Sequence, residues 1–163
     1  MAGVDLGELF SEAMASLASG VAVVTARRPD GEPCGLAVTA VTSYSARPPS
    51  LLVSIAQQSR CHDALARCER FGVHLLHSGE ERLALAFAAR VEDKFAGQSW
   101  RWDGDVPELD GAFAYLRCRR AENFARYDHT ILIGDIEGGR IEHAEPLLYA
   151  RRRMDWLLHP HDR

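Results

Sequence analysis

Short apolar runs, each about a strand in length and each closed by turn-forming residues, leave this chain few ways to fold. Val21 to Ala26, Ser50 to Ala56, Phe71 to Leu76, Ala112 to Arg126 and His129 to Ile136 are rich in β-branched, apolar and aromatic residues. Asp30-Gly31 offers the positive-φ position of a tight reversal, so the strands at 21–26 and 36–43 should pair as an antiparallel hairpin. Tyr127-Asp128 should turn 112–126 back into 129–136. Pro48-Pro49 cannot donate to a central ladder and is expected to mark a crossing loop. Gly138-Gly139 should end the strand from His129, and Pro146 to Ala150 is a last short extended piece. About six or seven strands joined mostly by turns predict a mainly β fold with flanking helices, an antiparallel barrel rather than a doubly wound sheet.

Helical signals are fewer. Leu6, Leu9, Phe10, Met14 and Leu17 make one apolar stripe at helical spacing and predict a helix over 5–18. Ser59 has the form of an N-cap for a short helix reaching Cys68, with Ala64 and Leu65 inward. Ser78-Gly-Glu-Glu81 has the form of a capping box for a helix through Ala89. Residues 91–111 carry Gly97, Gly104, Pro107 and Gly111 and should be loop, packed through Phe95, Trp100 and Trp102. Arg151 to Leu158 is expected to close the chain as a helix.

A chain of 163 residues suits one domain, 1–163, and no internal repeat or linker divides it. A net charge of −4 gives no footprint for nucleic acid or an anionic membrane. No run has the length of a membrane span, and no basic region followed by an apolar one opens the chain, so the expected location is the cytoplasm. Cys34, Cys61, Cys68 and Cys118 match no zinc ribbon or redox pair and are expected as reduced thiols. Cys61-His62 with Cys68 lacks a fourth ligand at sensible spacing, so no metal is expected. The chain also has no phosphate loop, Gly-x-Gly-x-x-Gly fingerprint, nucleophile elbow or His-Glu-x-x-His helix, which argues against hydrolase and Rossmann chemistry.

Gly35 to Ser45 is unusual for a core strand. Leu36, Val38, Ala40 and Thr42 alternate with Ala37, Thr39, Val41 and Ser43, small and hydroxyl-bearing where large aliphatics are usual. Such a segment leaves room for a flat, polar-edged ligand; a hydroxyl-rich edge strand facing water carries the same pattern. Ser59-Arg60 at a helix start would make an anion site from a hydroxyl, a guanidinium fork and free N–H groups, or simply an ordinary cap. Lys94 is a surface charge or a phosphate contact. His129 opens a strand after a turn, where a side chain can face a cleft. Arg151-Arg152-Arg153 is a solvated charge run from which a phosphate pocket could recruit one member.

Taken together, Ser19 to Thr25, Gly35 to Ser45, Pro48 to Ser54, Ser59-Arg60 before Asp63-Ala-Leu65, Phe71 to Leu76, Asp93 to Gly97, Asp128-His-Thr-Ile131 and Pro146 to Tyr149 before Arg152 resemble the short-chain flavin reductase family, in order and spacing, from about Met14 to Leu157. The resemblance implies a Greek-key split β-barrel of the FMN-binding kind. It implies hydride transfer from NADH or NADPH to FMN or FAD, often by a homodimer that supplies reduced flavin to a partner monooxygenase. Thr39, Ala40, Val41 and Thr42 would lie along the flavin ring and ribityl chain, with Ser54 and Ala56 flanking the ring. Ser59 and Arg60 would hold its phosphate, Lys94 and Phe95 would close the site, His129 would face the nicotinamide, and Arg152 would be a further flavin contact. Tyr127 stands where the family has Gly, and Cys61 where it commonly has Thr. The alternatives are a split-barrel flavoprotein that keeps its flavin and acts on an organic substrate, and a non-enzymatic flavin carrier or sensor.

Overall fold

The computed structural model describes residues 3–159. Helix α1 (Leu6–Ser16) is followed by β1 (Ser19–Gly20), β2 (Ala22–Arg27), β3 (Pro33–Val38), β4 (Val41–Ala46) and β5 (Pro49–Ala56). Then come α2 (His62–Arg67), β6 (Arg70–Leu76) and α3 (Glu81–Ala88). The chain finishes with β7 (Trp100–Asp103), β8 (Val106–Leu109), β9 (Ala112–Arg126), β10 (His129–Ile141), β11 (Leu148–Ala150) and β12 (Arg153–Trp156). Seven strands make one antiparallel sheet in the order β3-β2-β6-β9-β10-β5-β4, beside the small sheets β1-β11-β12 and β7-β8.

β3 and β4 stand at opposite edges of the large sheet, yet only Thr39 and Ala40 lie between them. Three peptide links reach about 10 Å at full extension, so the sheet must curl until its edges meet at this corner. The Ser54 N–H seals the corner by donating to the Ala40 carbonyl at 3.0 Å. Elsewhere β3 pairs with β2 and β4 with β5, which leaves the barrel split along that seam. The segment 36–43 is therefore two strands. Val38 lies opposite Ala22, as the expected hairpin requires, but Val41 and Thr42 lie opposite Val53 and Leu52.

Several local expectations give way to tertiary structure. Pro48-Pro49 makes no crossing loop: Arg47 and Pro48, joined by a cis peptide bond, turn β4 directly into β5. The prolines stay out of the ladder by taking the turn and the first strand position. Gly138 and Gly139 do not end β10; they pair with Arg117 and Leu116 just past a bulge at Glu137, where the register on β9 shifts, and Gly139 takes φ 150° against the Tyr115 carbonyl. The 91–111 segment is not all loop, since Trp100 and Trp102 sit in the β7–β8 hairpin. The expected C-terminal helix is a turn and a strand, because Arg151 and Arg152 adopt φ of 51° and 60° and reverse β11 into β12.

Strand alternation distributes the core. From β2, Ala22, Val24 and Ala26 face the barrel interior with Val53, Ile55, Leu65, Phe71 and Leu132. Val21 and Val23 face outward, where α3 brings Leu83, Ala84 and Phe87, and the following segment brings Phe95. Gly35 makes that second layer fit: a Cβ there would lie 2.6 Å from the Phe87 ring. Phe87, Phe95, Trp100 and Trp102 then continue outward in edge-on contacts of 5.0, 5.1 and 5.2 Å. His74, on β6, is wholly buried; its Nδ1 meets the Val23 carbonyl and its Nε2 accepts the Leu109 N–H, each at 3.1 Å. No helix among the described residues is long and apolar enough to cross a membrane.

Candidate functional site

A pocket of about 450 Å³ opens where β3, the end of β5, the turn after it and the C-terminal end of α3 converge. Its apolar lining is Leu36 and Ala37 from β3, Ala56 from β5, Phe87 and Ala88 at the end of α3, and Ala89 and Val91 past it. Its charged members are all cationic, namely Arg60, Arg90 and Lys94, with Gln58 and Ser59 as neutral donors and acceptors. The size falls within the range of small-ligand sites, and the charge suits an anionic ligand. A cleft of about 140 Å³ adjoins it, sharing Arg60, Val91 and Lys94 and adding Arg28, Cys34, Cys61, Glu92 and Phe95.

Lys94 is half-buried, and its ammonium donates to the Phe87 carbonyl at 2.7 Å. It thus satisfies an orphan carbonyl at the end of α3, where the helix dipole favours a cation. Burial draws its pKa below the ordinary lysine value. One donated hydrogen bond leaves the rest of the ammonium free to meet a ligand oxygen. Asp93 fixes the next turn by accepting the N–H groups of Phe95 and Ala96, both at 3.0 Å, and so aims Phe95 inward.

The turn carrying Ser59 and Arg60 is not the helix start that its sequence suggests. Helix α2 begins at His62, and Ser59 Oγ instead accepts the Cys61 N–H at 3.3 Å within the turn. Likewise Ser78 caps nothing: α3 starts at Glu81 after Glu80, and the Ser78 N–H goes to the Glu145 carbonyl. In both cases a long-range or turn hydrogen bond takes the group that a local cap would have used. Three contacts clamp the Ser59 turn to the start of β10. The Gln57 N–H donates to the Asp128 carbonyl at 2.8 Å, Gln57 Nε2 to the His129 carbonyl at 3.1 Å, and His62 Nε2 meets Thr130 Oγ1 at 2.8 Å.

His129 pairs directly with Ala56 in the β10–β5 register, and Ile131 with Ser54. Paired residues point to the same side of a sheet, so the His129 ring and the Ser54 hydroxyl stand on the side where Ala56 lines the pocket. His129 is exposed, and its Nδ1 meets Asp128 Oδ1 at 2.9 Å. Tyr127, in the turn before it, takes φ 53°, a position that suits glycine, and its ring faces solvent at 84% exposure under Arg126.

Of the residues singled out in the sequence, Ala56, Ser59, Arg60 and Lys94 line the pocket and Phe95 lines the adjoining cleft. Thr39 and Ala40 form the exposed corner two and three residues beyond Ala37, outside both ladders. Val41 packs against the inner core, while Thr42 is exposed on β4. Arg152 is not brought to the pocket. Its left-handed backbone points its guanidinium at α1, where it donates to Ser11 Oγ at 3.1 Å and pairs with Glu12 at 3.0 Å. Cys61 and His62 part company, the thiol to the Gly35 carbonyl and the ring to Thr130, so they do not form a joint ligand pair. Ala37, from the small-residue segment, lines the pocket as expected, whereas Gln58 and the 87–91 wall escaped the sequence argument. Arg90 just past an apolar helix was the only local signal, and nothing in the sequence places it beside Arg60.

The comparisons bear on this geometry. The family model described as flavin reductase like domain matches residues 14–158. A flavin reductase (NADH) from Kitasatospora aureofaciens is 41% identical over 155 residues, covering 92% of this chain and 81% of that one. The structure of a styrene monooxygenase flavin reductase from Pseudomonas putida S12 superposes with a TM-score of 0.81 at 30% identity, covering 88% of this chain and 94% of that chain. A Streptomyces globisporus NADH:FAD oxidoreductase solved with NAD and FAD fragments gives 0.85 at 27% identity, covering 94% of each chain. A match over nearly the whole split barrel, pocket walls included, means that the chain belongs to the flavin reductase like domain family.

Proposed function

We propose that the chain is an NAD(P)H:flavin oxidoreductase that passes hydride from a reduced nicotinamide to FMN or FAD. The observation that carries this is the pocket itself: an apolar lining rich in alanine, an all-cationic set of charged groups, and His129 abreast of Ala56 in the sheet beside it. A flavin bound there supplies the hydride acceptor. Hydride transfer requires two flat rings held face to face, not a general base, and a shallow alanine-lined floor serves that purpose. The backbone around Thr39 and Ala40, free of both ladders, together with Thr42 and Ser54, offers donors and hydroxyls to the polar edge of the ring. Ser59, Arg60 and Lys94 hold the phosphate, Phe95 backs the closing segment, and His129 orients the nicotinamide. The clamp from Gln57 and His62 keeps the phosphate turn and the His129 strand in fixed relation.

The same proposal extends to a cytoplasmic homodimer that delivers reduced flavin to a partner monooxygenase. What supports the dimer is the exposed apolar face of α1. What supports the partner is the similarity to a styrene monooxygenase flavin reductase.

The test is steady-state oxidation of NADH and NADPH with FMN or FAD in separate mixtures. Turnover that saturates with flavin is expected. His129→Ala should lower kcat while leaving flavin affinity unchanged, and equal turnover would remove His129 from its role. Tight flavin binding without nicotinamide oxidation would favour a carrier or sensor instead.

A further inference from the structure

The cleft beside the pocket contains two thiols that hydride transfer does not use. Cys34 lies on β3 opposite Ala26, and Cys61 follows Arg60 in the phosphate turn. Both side chains belong to the inner core, yet both line the 140 Å³ cleft that opens onto Arg60 and Lys94. Cys61 Sγ lies 3.1 Å from the carbonyl of Gly35, the residue after Cys34, so the two thiols share one corner of the cleft. Arg28, Arg60 and Lys94 make the cleft electropositive, against the single carboxylate of Glu92. We propose that Cys61 and Cys34 form a peroxide-sensitive thiol site whose oxidation to a disulfide weakens flavin binding in the adjoining pocket.

The two cysteines divide the chemistry unequally. The neighbouring Cys34 and the charge of Lys94 hold the Cys61 thiol below the ordinary thiol range, against the opposing effect of burial. The neighbouring Cys61 and burial push Cys34 well above it. Cys61 is thus the attacking thiolate and Cys34 the resolving thiol. The Cys61 thiolate attacks one oxygen of hydrogen peroxide; the O–O bond breaks, leaving a sulfenic acid on Cys61 and hydroxide, which takes a proton to become water. Cys34 then loses its proton and attacks the sulfenic sulfur; the S–S bond forms, the S–O bond breaks and a second water departs. Two thiols are oxidised by two electrons and one peroxide is reduced to two waters.

The other two cysteines provide an internal control. Cys68 and Cys118 turn their thiols toward the Leu65 and Leu116 carbonyls, and burial raises them to about 11 and about 12. Neither lines the cleft.

The effect on flavin follows from position and rests on the function proposed above. A disulfide sulfur–sulfur bond of about 2.05 Å draws the Ser59–Cys61 turn toward β3 and removes the Cys61 contact with the Gly35 carbonyl. Arg60, the residue before Cys61, moves with it. The oxidant is one that the proposed activity can generate, since reduced flavin that meets dioxygen yields hydrogen peroxide. A chain releasing reduced flavin with no acceptor would therefore lower its own flavin affinity.

The experiment treats the reduced full chain with hydrogen peroxide, alkylates the remaining thiols after denaturation, and maps the peptides by mass. FMN affinity is read by fluorescence before oxidation, after it, and after dithiothreitol. A Cys34–Cys61 bridge is expected, with Cys68 and Cys118 still alkylated. The FMN dissociation constant should rise about tenfold, the loss of roughly one charge-assisted hydrogen bond, and should recover on reduction. Cys34→Ser should stop at a dimedone-reactive Cys61, and Cys61→Ser should form no bridge. Four alkylated thiols after peroxide, a bridge through Cys68 or Cys118, or a mapped bridge with unchanged FMN affinity would each overturn the proposal. Failure of the reduced chain to bind FMN would overturn the flavin-site assignment and the effect on affinity together, while the bridge is still read by mass.

Discussion

Helices α1 and α3 carry similar apolar stripes and end in opposite circumstances. On α3, Leu83, Ala84 and Phe87 disappear against β3 and the outer face of the sheet, and the end of the helix becomes a wall of the pocket. On α1 no residue is buried: Leu6 is 76% exposed and Phe10 67%. α1 is held from one side only, by the pairing of Arg152 with Glu12 and by the Arg151 N–H on the Ala15 carbonyl. Periodicity identifies which face of a helix is apolar; it carries no information on what covers that face. α3 is covered by its own chain, and α1 by the second copy in the dimer proposed above.

Four measurements test this contrast. The largest effect belongs to the covered side. Phe87→Ala empties a ring site against Gly35 and Phe95, and should cost about 3–5 kcal/mol in urea unfolding. A loss as small as that of an exposed residue would mean that α3 is not part of the core.

Acidification should act next, again on the interior. Burial holds His74 at about 4 instead of 6.5. The unfolded chain therefore takes up a proton that the folded chain refuses, and stability falls as pH drops from about 6.5 toward 4. The full difference is about 3 kcal/mol, and His74→Gln should flatten that part of a stability-versus-pH curve.

The exposed helix should respond locally. Asp5 caps α1 by accepting the N–H groups of Gly7 and Glu8 at 2.8 and 3.2 Å. Asp5→Ala should cost about 1 kcal/mol and speed amide exchange roughly fivefold within α1. Exchange in β6 and β9 should stay as it was; an effect there would show that α1 is coupled to the core.

The smallest effect on the fold, within about 0.5 kcal/mol for the isolated chain, is expected from Phe10→Glu. Its effect on association should be large, converting a dimeric mass by light scattering to a monomeric one. An unchanged dimer would place the interface elsewhere.

Much of the fold was legible from residues. Val21 to Ala26, Phe71 to Leu76 and Ala112 to Arg126 became strands close to where their patterns put them, and Asp30-Gly31 made its turn, with Gly31 at φ 91°. The failures share one cause. Ser59 and Ser78 look like caps, Gly138-Gly139 like a stop and Arg151 to Leu158 like a helix when only neighbours in sequence are weighed. Each is decided instead by a hydrogen-bonding partner outside the pattern: the Cys61 N–H for Ser59, the Glu145 carbonyl for Ser78, β9 for Gly138-Gly139 and β11 for residues 153–156. The site divides in the same way. Arg60 and Lys94 are visible as cations in suggestive settings, whereas the 87–91 wall carries no signal of its own.

The residues alone reveal local features: where the chain extends, where it turns, which residues of each element are apolar, and that Gly35 to Ser45 is unusually rich in small and hydroxyl-bearing side chains. Those follow from backbone sterics and from the two periods of strand and helix. It took the tertiary structure to show that Thr39 and Ala40 join opposite edges of one sheet, that α3 meets Gly35, and that Arg60, Arg90 and Lys94 line a common pocket, with His129 beside Ala56, while Arg152 goes to α1. Those depend on how a seven-stranded sheet curls to bury both of its faces, a condition on the whole chain that no single segment encodes.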